Sequence, residues 1–374
     1  MTRTLSDVIA RLEQAYPVGL AESWDAVGLV CGDPDEPAER VLVCVDVTDA
    51  VVDEAVATRA QLVLAHHPLL MRGVTGVGAD SPKGRIVHRL IRSGCALYSA
   101  HTNADKARPG VSDALADAIG LRDTVPLNAE PSASLDKWVV MVPEGNVDQV
   151  SEAMFAAGAG AIGDYRDCRW GVVGTGQFLP VGGASPAIGG VGELTRVDEE
   201  RMEMVAPRRI RSDVFTALVG AHPYEEPAFD VFEQAPVDSD LGLGRIGRLP
   251  VPMRLDEFVA HVDASLPTAA WPVRGAGDPA GMIETVAVCG GAGDSLVSAA
   301  SRAGVDAYVT GDLRHHVVDE ARRDGAPALI DAGHWSTEYP WCAQAAALLT
   351  DFGCETNVFA PPTDPFGVVA RRPL

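Results

Sequence analysis

The run "QLVLAHHPLLM", Gln61–Met71, sets the fold and raises the first chemical question. Leu62 to Ala65 are apolar, strand-forming residues, and they lead directly into His66, His67 and Pro68. Neighbouring side chains of an extended chain point to opposite faces. Two adjacent histidines therefore suit a single metal ion poorly, unless the chain bends or two ions are held. The same texture continues on both sides of this run. "RVLVCVDVT" reads as a buried strand, "DAVVDEAVATRA" and "SPKGRIVHRLIRSG" as helices, "CALYSAHTNAD" as a third strand and "GVSDALADAIGL" as a further helix. Such alternation predicts crossover units and a largely parallel or mixed sheet covered by helices.

The pattern returns near the end, with strands in "IETVAVCGG", "VDAYVTGD" and "APALIDAGH", and a helix through "YPWCAQAAALLTDF". Between the two halves the texture changes. From "DKWVVMV" to "FDVFEQ" the order is strand, helix, strand, a Gly/Pro-rich loop, then strand, helix, strand. That order fits a split β-α-β unit of the ferredoxin-like kind. The predicted organisation is an α/β domain made of two sequence halves, residues 1–130 and 241–374, with an inserted α+β domain over 136–235.

Acidic residues outnumber basic ones 52 to 30, for a formal charge of −22. Such a surface repels phosphate backbones and anionic lipid, so nucleic acid and membranes are poor partners. A local pocket can still take a phosphorylated small molecule. Hydrophobic residues make up 47%, enough for a sizeable core. The seven cysteines are scattered with no C-x-x-C pair, which argues against a zinc knuckle or a dithiol site. No apolar run approaches the ~20 residues of a membrane span, and the N-terminus lacks a signal-peptide core. The sequence reads as cytoplasmic.

In open α/β sheets, ligands bind beyond the carboxyl ends of the strands. His66 and His67 follow "LVLA", His101 and Asp105 follow "ALYSA", and His334 and Glu338 follow "ALIDA". Asp312, His315 and His316 follow "DAYV". All four clusters are expected at one edge of one sheet. Imidazole with carboxylate and without thiolate suits zinc, iron, manganese, cobalt or nickel rather than calcium or magnesium. His334 and Glu338 lie four apart and would face one point from a first helical turn capped by Ser336. His66 and His67 could serve one ion each, with a carboxylate bridging a pair that activates a shared hydroxide.

The stretches "ESWDAVGLVCGD", "AHHPLL", "SAHTNAD", "GAHPYEEPAFDVF", "TGDLRHH" and "IDAGHWSTE" together resemble the NGG-interacting-factor-like dinuclear metal-centre family, whose bacterial members are commonly called GTP cyclohydrolase I type 2 homologues. The resemblance runs from about Glu22 to Glu338. It implies two divalent ions per chain, zinc, iron or manganese, on His66, His67, Asp105, His334 and Glu338, with His101 close by. It also implies an insert similar to PII and CutA domains, and a homohexamer.

Three functions follow. One is a metal-dependent hydrolase of a nucleotide or related phosphorylated compound, with GTP cyclohydrolase (attack at C8, loss of formate) as its specific form. In it, His101 or one of His315 and His316 would move protons. Two-metal phosphoester hydrolysis is a second, and a non-catalytic metal-binding regulator or scaffold a third. Asp46 would either orient a ligand histidine or cap the following helix. "VCGGAGDSLVSAA", with Asp294 and Ser295 as candidate caps, reads as a tight turn more readily than as a phosphate loop. Trp24 reads as a packing residue, with Asp25 and Gly28 shaping the turn.

Overall fold

A computed structural model describes residues 3–132, 134–268 and 271–368. Its contacts divide the chain into two compact units, one of Met1–Glu130 with Asp240–Leu374 and one of Pro131–Ser239.

The first unit holds two sheets rather than one. In the first sheet the order is Gly28–Cys31, Ala96–Ser99, Leu62–Ala65, Arg40–Cys44 and Glu355–Val358, parallel throughout except for the antiparallel edge strand Gly28–Cys31. Its three central strands are buried on both sides, which is why they are apolar runs without polar alternation, whereas the edge strand Glu355–Val358 alternates exposed and half-buried residues. Val41, Val43, Leu62, Leu64 and Tyr98 face the helix His334–Asp351 through Trp341, Cys342, Ala345 and Leu349. The alternate residues Leu42, Cys44, Val63, Ala65 and Leu97 face the helices Asp49–Ala57 and Pro82–Arg92. Thr48 and Ser81 cap those two helices, each accepting from a backbone N–H of the first turn.

The second sheet has six strands. Met282–Ala292, Ala307–Gly311 and Ala328–Asp331 run parallel at its centre, and Arg274–Ala276 and Asp238–Arg254 flank them antiparallel. Val286, Val288, Val309 and Ile330 pack on the helix Leu255–Ser265, while Ala287, Tyr308 and Leu329 pack on Val297–Ala303. Alternation of strands and helices predicts crossover units but does not say which strands share a sheet. Here the strand-exit clusters divide between the two sheets, and helix His334–Asp351 touches strands of both.

A buried ion pair also ties the two sequence halves together. Arg245 is 0% exposed and donates to both Asp113 carboxylate oxygens at 2.8 Å and to the carbonyls of Gly242, Gly244 and Ala107.

The second unit has its own core around Trp138, Val140, Met202, Met204, Val150, Met154 and Leu218. Its element order is strand Leu135–Pro143, helix Val147–Ala156, strands Trp170–Phe178 and Thr195–Pro207, helix Arg211–Ala221 and strand Phe229–Glu233. All its strand pairings are antiparallel. In the "AHPYEEP" turn, His222 is buried and donates from Nε2 to the Met141 carbonyl, and Tyr224 donates its hydroxyl to Glu199.

Among the described residues no helix is long and apolar enough to cross a membrane. Removing one partner of a buried charge pair costs about 3–5 kcal/mol, whereas an exposed pair contributes under about 1 kcal/mol. Arg245→Met should therefore lower the urea midpoint sharply, and Arg248→Ala, which breaks a surface pair with Glu284, should barely move it. Equal midpoints for the two variants would remove Arg245 from this role.

Candidate metal centre

The side-chain alternation of strand Leu62–Ala65 continues into the two histidines. His66 falls on the side of the His334–Asp351 helix, its ring 5.0 Å from that of His67 and 5.3 Å from that of Trp341. The backbone N–H groups of His66 and His67 still pair with the carbonyls of Cys44 and Val45. Their Nε2 atoms nevertheless reach one carboxylate. His66 Nε2 lies 3.5 Å from Glu338 Oε1, and His67 Nε2 lies 3.1 Å from Oε2. Opposed side chains at a strand exit thus meet across the two oxygens of Glu338, which enters from the second half of the sequence.

The other candidates gather at the same place. His334 Nε2 is 3.1 Å from Glu338 Oε1 and 3.3 Å from His67 Nε2. Asp105 Oδ1 is 3.7 Å from His66 Nε2, and the His101 ring is 5.1 Å from that of His66 and 5.5 Å from that of His67. His66, His67 and His101 form one group able to hold a metal ion, and His67, His334 and Glu338 form another. His67 belongs to both. His315 and His316 open the helix His315–Arg323, are exposed, and belong to neither group.

Each of the four histidines has its Nδ1 held from behind. His66 Nδ1–H donates to the Ala100 carbonyl at 2.9 Å. His67 is held by Asp46 at 2.7 Å, His101 by Asp25 at 2.8 Å and His334 by Asp312 at 2.7 Å. Anchoring Nδ1 fixes the ring and directs the Nε2 lone pair inward, the arrangement that metal-binding imidazoles require. Asp46 therefore orients a histidine, and Thr48 is the helix cap. Asp25 does more than shape a turn, since its second oxygen accepts from the Thr102 backbone N–H and hydroxyl. Trp24 is not a packing residue: it is 60% exposed, with its ring edge-on to His101 at 6.1 Å. Ser336 caps nothing, because the last helix starts at His334 after Gly333. A helix that begins one turn earlier than expected still places His334 and Glu338 on one face.

The glycine-rich stretch forms part of the wall. Gly291 has φ +66°, and a Cβ there would fall on Glu338 Oε1 and within 3.2 Å of His334 Nε2. Its N–H donates to Thr337 Oγ1 at 2.9 Å. Asp294 pairs with Arg314 instead of capping the next helix, and Gly293 precedes the short helical turn there.

Electrostatically the cluster demands positive charge. Burial alone would raise the Glu338 carboxyl, but the His67, His66 and His334 rings hold it well below the usual range. Burial works against charge on His67 too, yet Glu338 and Asp46 carry it well above the ordinary imidazole value. His334 is raised to about 9 by Glu338 and Asp312 against burial. Burial, with Glu338 adding to it, lifts Asp105 to about 6, while burial and the neighbouring His66 lower His101 to about 4.

The donor set fits divalent transition metals. His66 Nε2 is buried without a hydrogen-bond partner, a costly state for a polar nitrogen that a metal ion would relieve. Ligands ~2.1 Å from a tetrahedral ion stand ~3.4 Å apart, close to the 3.1–3.5 Å separations between Glu338 and the three imidazoles. A cavity of about 240 Å³ adjoins the cluster, with Asp46, His67, Asp312, His334, Trp335 and Trp271 in its wall.

Fold and site define a mixed α/β protein whose histidine–carboxylate cluster could hold metal. The model of the Duf34/NIF3 (NGG1p interacting factor 3) family matches residues 3–365, and the chain belongs to that family. A Mycobacterium tuberculosis protein named GTP cyclohydrolase 1 type 2 homolog is 57% identical over 360 residues, 96% of this chain and 94% of its own. A Bacillus subtilis protein of the same name is 37% identical over 360 residues, 96% of each chain. Among solved structures, Staphylococcus aureus protein SA1388 superposes with a TM-score of 0.84 at 28% identity, covering 98% of this chain and 99% of that one. A Bacillus cereus protein related to NIF3 does so with 0.76 at 35% identity, over the same shares.

Gly291 and Gly304 have nearly the same positive φ, but a Cβ at Gly304 meets nothing within 4 Å. Alanine at either position pays about 1–2 kcal/mol of backbone strain. Only Gly291→Ala should also lose manganese or zinc uptake, measured by elemental analysis after dialysis. Equal uptake by the two variants would show that Gly291 does not shape the cluster.

Proposed function

We propose that the protein is a metal-dependent hydrolase of a nucleotide or related phosphorylated compound, with GTP ring opening as its specific form. One observation carries this reading: anchored imidazoles converge on a buried carboxylate beside an accessible cavity. A non-catalytic scaffold has no use for that free space next to its metal ligands.

His66, His67, Asp105, His334 and Glu338 would hold two divalent ions, zinc, iron or manganese. Such ions supply an activated water near neutral pH and polarise the group under attack. His67 belongs to both groups, Glu338 reaches the rings of His66, His67 and His334, and Asp46, Asp25 and Asp312 keep the rings in register. His101, steadied by Asp25 and edge-on to Trp24 at the exposed side, is assigned the proton transfer. His316 lies outside the cluster and takes no part in this assignment. In the GTP form, water adds at C8 of the guanine, the imidazole ring opens, and a second water releases formate. We also read Pro131–Ser239 as a ferredoxin-like insert, from its β-α-β-β-α-β order and antiparallel sheet.

The test is metal content per chain followed by formate release from GTP. Two ions in the wild type, fewer in His67→Ala, and metal-dependent formate are expected. His101→Ala should lose roughly 100-fold or more in turnover, the usual contribution of a positioned acid or base. Because His101 also stands in one of the two groups able to hold an ion, metal is measured on the same sample, and a reduced load would make it a ligand in place of the proton carrier. Two ions without formate would move the reaction to another phosphorylated substrate. Absence of metal after purification in several metals would end the hydrolase reading.

A further inference from the structure

We propose that the cavity beside His67 and His334 is the subsite for a guanine ring, with Phe366 and Trp271 as its aromatic walls and Asp364 as the carboxylate that selects the base. The proposal rests on the hydrolase reading above and adds the residues that would decide which nucleotide enters.

Size excludes a whole nucleotide from this space. A cavity of about 240 Å³ is smaller than the ~300–1,000 Å³ that encloses a drug-sized ligand, so it takes one flat ring system. Its walls suit such a ring. Trp271 and Phe366 stand 5.3 Å apart between ring centroids at 60°, so a flat ligand on the face of one meets the other at an angle.

Charge decides the orientation. The lining of the cavity contains Asp46, Asp312 and Asp364 and neither lysine nor arginine. A triphosphate would be repelled there. Beyond Trp271, a neighbouring cavity is lined by Trp271, Pro272 and Arg274; the Arg274 guanidinium is paired with Asp331 through Nε and one terminal nitrogen, and the phosphates leave past the indole toward its other, unpaired terminal nitrogen.

The three carboxylates are not equivalent. Asp46 is committed on both oxygens, to His67 and to the Thr363 hydroxyl. Asp312 holds His334. Asp364 serves no histidine; its Oδ1 accepts the Phe366 backbone N–H at 2.8 Å, which fixes the side chain and leaves acceptor capacity. Guanine offers adjacent N1–H and N2–H donors to a carboxylate. Adenine presents an acceptor, N1, in the same place, and a carboxylate disfavours it. The short segment from Thr363 to Phe366 is thus tied to Asp46 at one end and supplies both the base-reading carboxylate and an aromatic wall at the other.

The experiment is calorimetric titration of the metal-loaded full chain with guanosine, adenosine, GTP and inorganic triphosphate, with metal content measured on the same samples. Guanosine should bind more tightly than adenosine, and triphosphate should not displace it. Phe366→Ala should weaken guanosine roughly 5- to 150-fold, the equivalent of ~1–3 kcal/mol for one stacked base. Asp364→Asn should bring guanosine and adenosine toward equal affinity. Both variants change side chains at the surface and should keep the wild-type metal load. A fully loaded wild type that binds no guanosine, or variants that bind it as the wild type does, would overturn the subsite and leave the metal centre standing. Displacement of guanosine by triphosphate would overturn the orientation. A wild type that takes up no metal would instead overturn the hydrolase reading, and the subsite with it.

Discussion

Glu338 is a carboxylate at 3% exposure, and its burial is the constraint on which the rest of the centre depends. An ion taken out of water loses several kcal/mol of hydration that only close opposite charge or well-aimed hydrogen bonds can return. The chain answers with three imidazoles within 3.5 Å, each supplied from a strand exit. Those imidazoles in turn have to be held, which explains the outer ring of Asp46, Asp312 and the Ala100 carbonyl. Gly291 completes the arrangement, since any side chain there would occupy the carboxylate's place. The outer layer exists because the inner one is unstable without it.

Delivering that carboxylate requires the last helix to reach both sheets. One side of His334–Asp351 packs on Val41, Val43, Leu62 and Leu64, and its first turn is approached by Gly290 and Gly311 from the other sheet. At Gly311 a Cβ would stand 2.8 Å from the His334 backbone. Close backbone contact on one side and large apolar side chains on the other fix the helix along its axis. Arg245 and Asp113 secure the same junction of the two sequence halves by charge.

Much of this was legible in the sequence because strand exits can be read from apolar runs. His66, His67, His101, Asp105, His334 and Glu338 each follow such a run, and the structure brings all six together. His316 follows one too, but a helix starting at His315 leaves it exposed outside the cluster. Periodicity places a residue at the end of a strand without saying which way the next turn faces. The division into two sheets was hidden for a related reason, since pairing is decided by contacts between segments far apart. Asp25 and His101 are 76 positions apart, and nothing local marks Asp25 as the acceptor for that ring. The role of Gly291 could have been suspected from "CGGAGD", where adjacent glycines end a buried strand; its neighbour Glu338 could not.

The separation of the two halves bears on how the chain is made. Synthesis places the strand Leu62–Ala65 in the cell long before the helix that covers it. With elongation at ~5–20 residues per second, residues near position 65 wait on the order of 15–50 s for residues near 335. During that interval Val41, Val43, Leu62, Leu64 and Tyr98 have the cover of Leu5, Val8 and Leu12 but lack that of Trp341, Cys342, Ala345 and Leu349, while Pro131–Ser239 gains every strand and helix of its own core. The nascent chain therefore passes through a stage with one folded unit and one partly open apolar sheet, a species suited to chaperone capture. Closure comes only with the final helix, so a chain truncated before His334 would lose His334 and Glu338 from the cluster together with the cover that the helix gives the first sheet.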